Sequence, residues 1–370
     1  MLNKEELSPE QVNILLISMT KSFFDFSEKI AKGVIKELAA PFSDYQNWEG
    51  DILSYYNDFF DRYNSQLSKL NKSDIQSAEQ MVSALVKDAS GITVSFDLLN
   101  EVRAVENMIH DSMVMRFKGF PSEAFNIFEK GMLASDLHLM NLLPQIIINN
   151  ASYFRVRKKG QGRITESKDL FHVPFEKRGK NATYRYSVPG YPSLYLSHRL
   201  EIACLETGIK RWDSYYASSF KAEGDRSLRF IDLSLTNAFY TVWERYSLLV
   251  FYPLIMACGL KVKHPGDAFK PEYVIPQLLA QVVRLHMVDG RFDGISYICT
   301  KVEYPDFRDV SQRNYVLWIT GAEQESGYSK SLSDKVLATK PLKCYPCSCF
   351  TKNEHRLLAE PYTRILDNHQ

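Results

Sequence analysis

The sequence predicts an α+β protein in which a helical N-terminal domain, residues 1–152, precedes a mixed domain, residues 153–370. Three observations lead there. Apolar residues recur at steps of three and four through the first part of the chain. Strand-like runs separated by turns begin at Tyr153, and no regular alternation of strand and crossover helix follows.

The first helix opens at Ser8-Pro9-Glu10-Gln11, with serine at the N-cap, proline at the first helical position and glutamine at the capping-box position. Val12, Leu15, Leu16, Met19, Phe23, Phe26, Ile30, Val34 and Leu38 then mark one apolar face. Its end is expected at Ala40-Pro41, because the residue before proline avoids helical dihedrals. A second helix carries Trp48, Ile52, Tyr55, Tyr56, Phe59, Tyr63 and Leu67. Two or three more are expected over 73–148, broken near Gly91 and at Gly119-Phe120-Pro121. His110, Asp111 and His138 fall in this part without ligand spacing and read as surface or core residues.

Beyond it, Arg155-Val156-Arg157-Lys158-Lys159-Gly160-Gln161-Gly162-Arg163 is basic and reads as a linker, with a phosphate or an acidic partner as the alternative. Strands are expected at 170–175, 182–188, 193–197 and 228–233, and a helix at 198–208. No Gly-x-Gly-x-x-Gly after a strand and no P-loop is present.

Composition narrows the function. Of 370 residues, 45% are apolar and 24% charged, as a globular core requires. Aromatics reach 13%, and such rings fill cores or line pockets for flat heterocycles. The 45 basic residues nearly balance the 44 acidic ones, which argues against a general electrostatic grip on nucleic acid. Cys204, Cys258, Cys299, Cys344, Cys347 and Cys349 do not form a disulfide framework. The N-terminus has no apolar signal core. The longest apolar run, 246–260, contains Pro253 and is shorter than the roughly 20 residues that span a bilayer. It reads as a buried helix or strand pair. A cytoplasmic protein without membrane partners is expected.

Chemistry concentrates between 170 and 206. Glu206 falls on the flank of an apolar helical face, where a carboxylate is either paired or faces a cleft. Arg178 and Arg185 suit bidentate contact with a pyrophosphate, and Tyr195 could lie against a nicotinamide or adenine ring. A structural salt bridge beside a core tyrosine fits the same spacing.

The segments Leu170-Phe171-His172, Arg185-Tyr186-Ser187 before Pro189-Gly190, Leu194-Tyr195-Leu196, and Glu206 on the following helix resemble the RES domain family. Glu272-Tyr273-Val274-Ile275-Pro276-Gln277-Leu278 and Asp293-Gly294-Ile295-Ser296-Tyr297-Ile298-Cys299 extend the resemblance over roughly 155–345. It is to the long members with a helical N-terminal extension. The family's serine is Cys299 here, with Thr300 next and Ser296 earlier; Arg178 is taken for its first arginine, and His172 stands where shorter members have one.

The resemblance implies an ADP-ribosyltransferase-like fold with a small split β-core. It also implies NAD⁺ degradation by hydrolysis or phosphorolysis, in a toxin restrained by an antitoxin or deployed as an effector. Nicotinamide departure leaves positive charge on the ribose, so the resemblance assigns Glu206 to that charge. Arg178 and Arg185 would hold the pyrophosphate. Tyr195, Tyr186, Ser187, His172, Tyr297 and Cys299 would line the substrate site. No cofactor is needed; NAD⁺ is the substrate, with inorganic phosphate as a possible co-substrate. An inhibitory protein and a homo-oligomer through the helical domain are the partners implied. Protein ADP-ribosylation, or a decayed pocket serving as an interaction module, are the alternatives.

Cys344-Tyr345-Pro346-Cys347-Ser348-Cys349, with His355 beyond, has one zinc-like Cys-x-x-Cys. The second pair is missing, so reduced thiols without a metal are expected.

Overall fold

A computed structural model of the chain describes residues 44–90, 93–133, 143–158, 160, 164–210, 212–234, 242–286, 292–302, 309–319, 325–345 and 350–366. The expected helix over 8–40, Gly91, His138, Cys347 and Cys349 lie outside the described residues. The chain forms two compact units, Met1–Leu142 with Ala238–Met256, and Leu143–Asn237 with Ala257–Gln370.

The first unit is helical. Helix α1 (Ile52–Leu67) starts where the Asp51 carboxylate accepts the Ser54 amide at 2.8 Å, which satisfies an otherwise orphaned donor. Its buried face is aromatic. Phe59 stacks on Tyr252 at 6.0 Å, and the Tyr63 hydroxyl donates to the Leu249 carbonyl at 2.6 Å. Helices α2 (Lys72–Ser90), α3 (Leu98–Phe117) and α4 (Pro121–Leu133) follow. The expected break between the last two occurs at Gly119, whose φ of 85° is left-handed, and Pro121 opens α4. Gly131 lets α4 approach α3: a β-carbon there would lie 2.6 Å from Cγ of Met108.

Among its described residues the second unit is built on one hydrogen-bonded sheet of ten strands. These are β1 (Gln145–Ile148), β2 (Ser152–Lys158), β3 (Ser193–Ser197), β4 (Tyr215–Ala222), β5 (Leu228–Leu233), β6 (Gly294–Ile298), β7 (Arg313–Trp318), β8 (Val336–Thr339), β9 (Leu342–Cys344) and β10 (Tyr362–Arg364). The order is β1-β5-β6-β7-β3-β2-β4-β8-β10, with β9 also on β4. Among the described residues only β5 and β6 run parallel. The expected small core is therefore an underestimate. Near the middle of the order, β2 and β3 pair in register at Phe154↔Ser197.

Alternation along β2 separates two cores. Tyr153 packs with Leu194, Phe220, Phe230, Tyr315, Leu170 and Phe171. Phe154 and Val156 pack on the other side with Leu200, Ala203 and Cys204 of helix α5 (Leu200–Glu206). The run 246–260 lies largely in helix α6 (Val242–Gly259), with Pro253 inside it. Helix α7 (Val274–His286), the short α8 (Lys330–Ser333) and α9 (Phe350–Ala359) complete the described helices.

Strands 193–197 and 228–233 form as expected. The other two do not. Residues 170–175 lie between two 3-10 turns, Ser167–Leu170 and Phe175–Lys180, because Pro174 has no amide hydrogen for a ladder. Residues 182–188 close on themselves instead of extending, and Tyr184 and Ser187 exchange both main-chain hydrogen bonds at 3.4 and 3.3 Å. Arg155, Val156, Arg157 and Lys158, read as linker, belong to β2. No helix among the described residues is long and apolar enough to cross a membrane.

Candidate active site

Helix α5 ends at Glu206 because Gly208 takes φ 66°. The Gly208 amide then bonds the Leu205 carbonyl and the Ile209 amide the Cys204 carbonyl, a Schellman closure. Glu206 thus occupies the negative end of a helix dipole, an unfavourable place for a carboxylate. Three neighbours offset that. Asn314 Nδ2 donates to Glu206 Oε1 at 2.6 Å, Lys301 Nζ lies 3.6 Å from Oε2, and the Cys299 thiol hydrogen-bonds the carboxylate. Lys301 also donates to the Glu206 carbonyl.

Strand pairing explains why these groups meet. Asn314 on β7 is in register with Ser197 on β3 and with Tyr297 on β6. Cys299 follows directly after β6. Burial, and then the Glu206 charge, raise both the Tyr297 phenol and the Cys299 thiol well above their usual ranges. Both stay protonated at neutral pH, so Cys299 is a weak donor here and not a thiolate nucleophile. Tyr297 also feels Tyr195, Tyr186 and Arg185 electrostatically.

That turn presents Arg185 and Tyr186. Tyr195 supports it: its hydroxyl meets Ser187 Oγ at 2.6 Å and accepts the Tyr186 amide at 3.3 Å. Gln277 on α7 supports it too, donating to the Tyr184 carbonyl at 2.9 Å and the Ser187 carbonyl at 3.3 Å. The Tyr186 ring packs on Tyr297 with centroids 4.8 Å apart. Arg185 is buried above the Tyr273 ring. It donates to the Cys258 and Leu260 carbonyls at 3.0 and 2.8 Å and to Thr300 Oγ1 at 3.3 Å. It therefore caps carbonyls at the C-terminal end of α6.

Arg178 is positioned by other contacts. Its guanidinium lies 4.8 Å over the Phe175 ring and acts on the Tyr191 phenol, contacts that do not join it to Arg185. His172 is fully built into the core. Nδ1 donates to the Val173 carbonyl at 2.7 Å, and Nε2 accepts the Ser329 amide at 2.8 Å. Burial lowers its pKa to about 4, so the ring is neutral. Of the two hydroxyls flanking Cys299, Thr300 reaches Arg185, whereas the Ser296 hydroxyl is buried in the sheet with no hydrogen-bond partner.

Ser197, Asn314, Gln277 and Lys301 are not among the site residues that the sequence points to, and Arg155 stands there only within the basic run read as a linker, with a phosphate or an acidic partner as the alternative. Arg155 is half-buried on β2, with Nη1 unpartnered and with Tyr184 and Tyr195 as electrostatic neighbours; burial lowers its pKa to about 10. The alternation Phe154-Arg155-Val156 was a strand signal that the surrounding charge obscured. Among the described residues no three His, Cys, Asp or Glu side chains are grouped to hold a metal. Cys344 is buried in the core beside Tyr215 and Leu357, and His355 is exposed.

No family model matches the sequence, and no solved structure matches it. The chain is similar to a protein of Bacillus subtilis (strain 168) named "Putative toxin YopC", 27% identical over 270 residues. The matched region takes in 67% of this chain and 60% of that protein, so the chain spans less than two thirds of the relative's length.

Proposed function

We propose that this chain is a toxin of the RES type that cleaves NAD⁺ at the nicotinamide–ribose bond, with Glu206 as its catalytic carboxylate, on an ADP-ribosyltransferase-like core. The similarity to a protein named as a toxin supports the biological role. One observation carries the chemistry: a half-buried carboxylate sits at the unfavourable end of a helix, fixed by Asn314 and bordered by Tyr297 and Cys299.

In the reaction the C–N bond electrons leave with the pyridinium nitrogen, which becomes neutral nicotinamide. Positive character develops at the anomeric carbon, and a preorganised carboxylate beside it stabilises that charge more than the ground state. Water, or inorganic phosphate, then attacks the same carbon and loses a proton to solvent. Tyr297 would border the nicotinamide, and the buried Tyr186 ring backs it with centroids 4.8 Å apart. The unpartnered Nη1 of Arg155 is a donor suited to the pyrophosphate, while Arg185 holds its turn in place.

The test is NAD⁺ consumption by the wild type beside Glu206→Gln, with and without phosphate, and with products identified. ADP-ribose or its 1-phosphate supports the proposal. Label transferred to protein indicates an ADP-ribosyltransferase, and intact NAD⁺ refutes both.

A further inference from the structure

We infer that Asn314, oriented by Ser197, is the positioning residue that aims the Glu206 carboxylate. Its catalytic meaning rests on the NAD⁺ cleavage proposed above, but the hydrogen-bond chain stands on its own geometry. Ser197 and Asn314 face each other across β3 and β7 and are both buried. Ser197 Oγ donates to Asn314 Oδ1 at 2.6 Å, and Asn314 Nδ2 donates onward to Glu206 Oε1 at 2.6 Å.

An amide has two orientations, and here only one works. Flipping Asn314 would set its oxygen against a carboxylate oxygen, two acceptors at hydrogen-bond distance. The carboxylate, which only accepts, selects the productive orientation, and the Ser197 hydroxyl then donates to the amide oxygen left facing it and holds the side chain in place. Ser197 therefore acts on Glu206 without touching it.

The two carboxylate oxygens end up unequal. Oε1 is tied to a buried amide donor. Oε2 has Lys301 at 3.6 Å, and that lysine is 51% exposed, so solvent weakens the contact. A substrate ribose hydroxyl can displace Lys301 from Oε2 while Asn314 keeps the carboxylate in place. That is the preorganisation the transition state requires.

The experiment uses the full chain as wild type, Ser197→Ala, Ser197→Thr and Asn314→Leu, with folding checked by circular dichroism. In NAD⁺ turnover, Ser197→Ala is expected to lose about 10-fold in kcat with KM within about twofold, and Asn314→Leu about 100-fold in kcat. Ser197→Thr, which keeps the hydroxyl, should recover most of the rate.

A second readout does not need activity. With asparagine side chains labelled by nitrogen-15, the Asn314 amide should show one strongly downfield proton, assigned by its loss in Asn314→Leu. In Ser197→Ala that shift should collapse. An Asn314 signal indifferent to Ser197, or a kcat unchanged in Ser197→Ala, overturns the inference. A wild type that leaves NAD⁺ intact refutes the proposed reaction instead, and the resonance result still decides whether Ser197 orients Asn314.

Discussion

The Tyr195 hydroxyl meets Ser187 Oγ at 2.6 Å and also accepts the Tyr186 amide. A ring that the sequence suggests for stacking on substrate thus ties down the turn that carries Arg185. Burial raises the phenol above its usual range, so it stays neutral across the working pH range. Tyr195→Phe keeps the ring and removes only this tie. Loss of one buried hydrogen-bonded hydroxyl should cost about 1–3 kcal/mol in urea unfolding, and the KM for NAD⁺ should rise as the turn loosens. Unchanged stability and KM would show that the tie has no role.

Glu206→Gln keeps the size of the side chain and removes its charge. Turnover of NAD⁺ should fall at least ~100-fold while the unfolding midpoint stays close to that of the wild type. A variant retaining near wild-type turnover would remove Glu206 from the chemistry.

Gly294 admits no side chain. A β-carbon there would lie 1.8 Å from the Val316 carbonyl oxygen and 2.8 Å from its carbon, both main-chain atoms that cannot swing aside. Gly294→Ala should therefore force β6 from β7 and cost about 1–3 kcal/mol or more. Gly266→Ala, with nothing within 4 Å of the new carbon, serves as the control. Equal midpoints for the two variants would contradict the close approach.

Asp232 and Arg313 form a buried ion pair at 3.2 Å across the sheet, and the Ser234 amide also donates to Asp232. Asp232→Ala leaves a guanidinium buried without its counter-charge, and a loss of about 3–5 kcal/mol is expected in denaturant titration. A loss below ~1 kcal/mol would mean that Arg313 finds another partner.

The two units should answer acid in opposite directions. In the sheet unit, burial lowers His172 to about 4, so below its ordinary pKa of 6.5 the unfolded chain takes up a proton that the folded one refuses. The stability His172 provides is complete above pH 6.5. It is lost as pH falls toward 4, by on the order of 3 kcal/mol. In the helical unit, burial raises Glu101 and Glu106 to about 7 from 4.5, so there the folded form binds the proton more tightly. Their contribution is present below pH 4.5 and is lost as pH rises through 7. Hydrogen exchange at pH 5 and pH 7, corrected for intrinsic rates, should show α3 better protected at pH 5 and the sheet better protected at pH 7. Parallel changes in both units would contradict this.

The sequence by itself determined what depends on neighbours along the chain. Three- and four-residue apolar spacing marked α1, strand-like runs bounded by turns marked β3 and β5, and Gly119 with Pro121 marked the break before α4. Glu206 was legible too, since its place beside an apolar helical face follows from helical geometry. Tertiary structure alone decided what surrounds Glu206. Asn314 lies 108 positions away, and the strand register that sets it between Ser197 and Tyr297 is a long-range property. The 184–187 turn escaped the sequence reading for a related reason: Gln277, 90 positions from Ser187, helps to hold it closed. Local periodicity is written in local residues, whereas a hydrogen-bond partner is chosen by whichever distant strand or helix the packed core brings alongside.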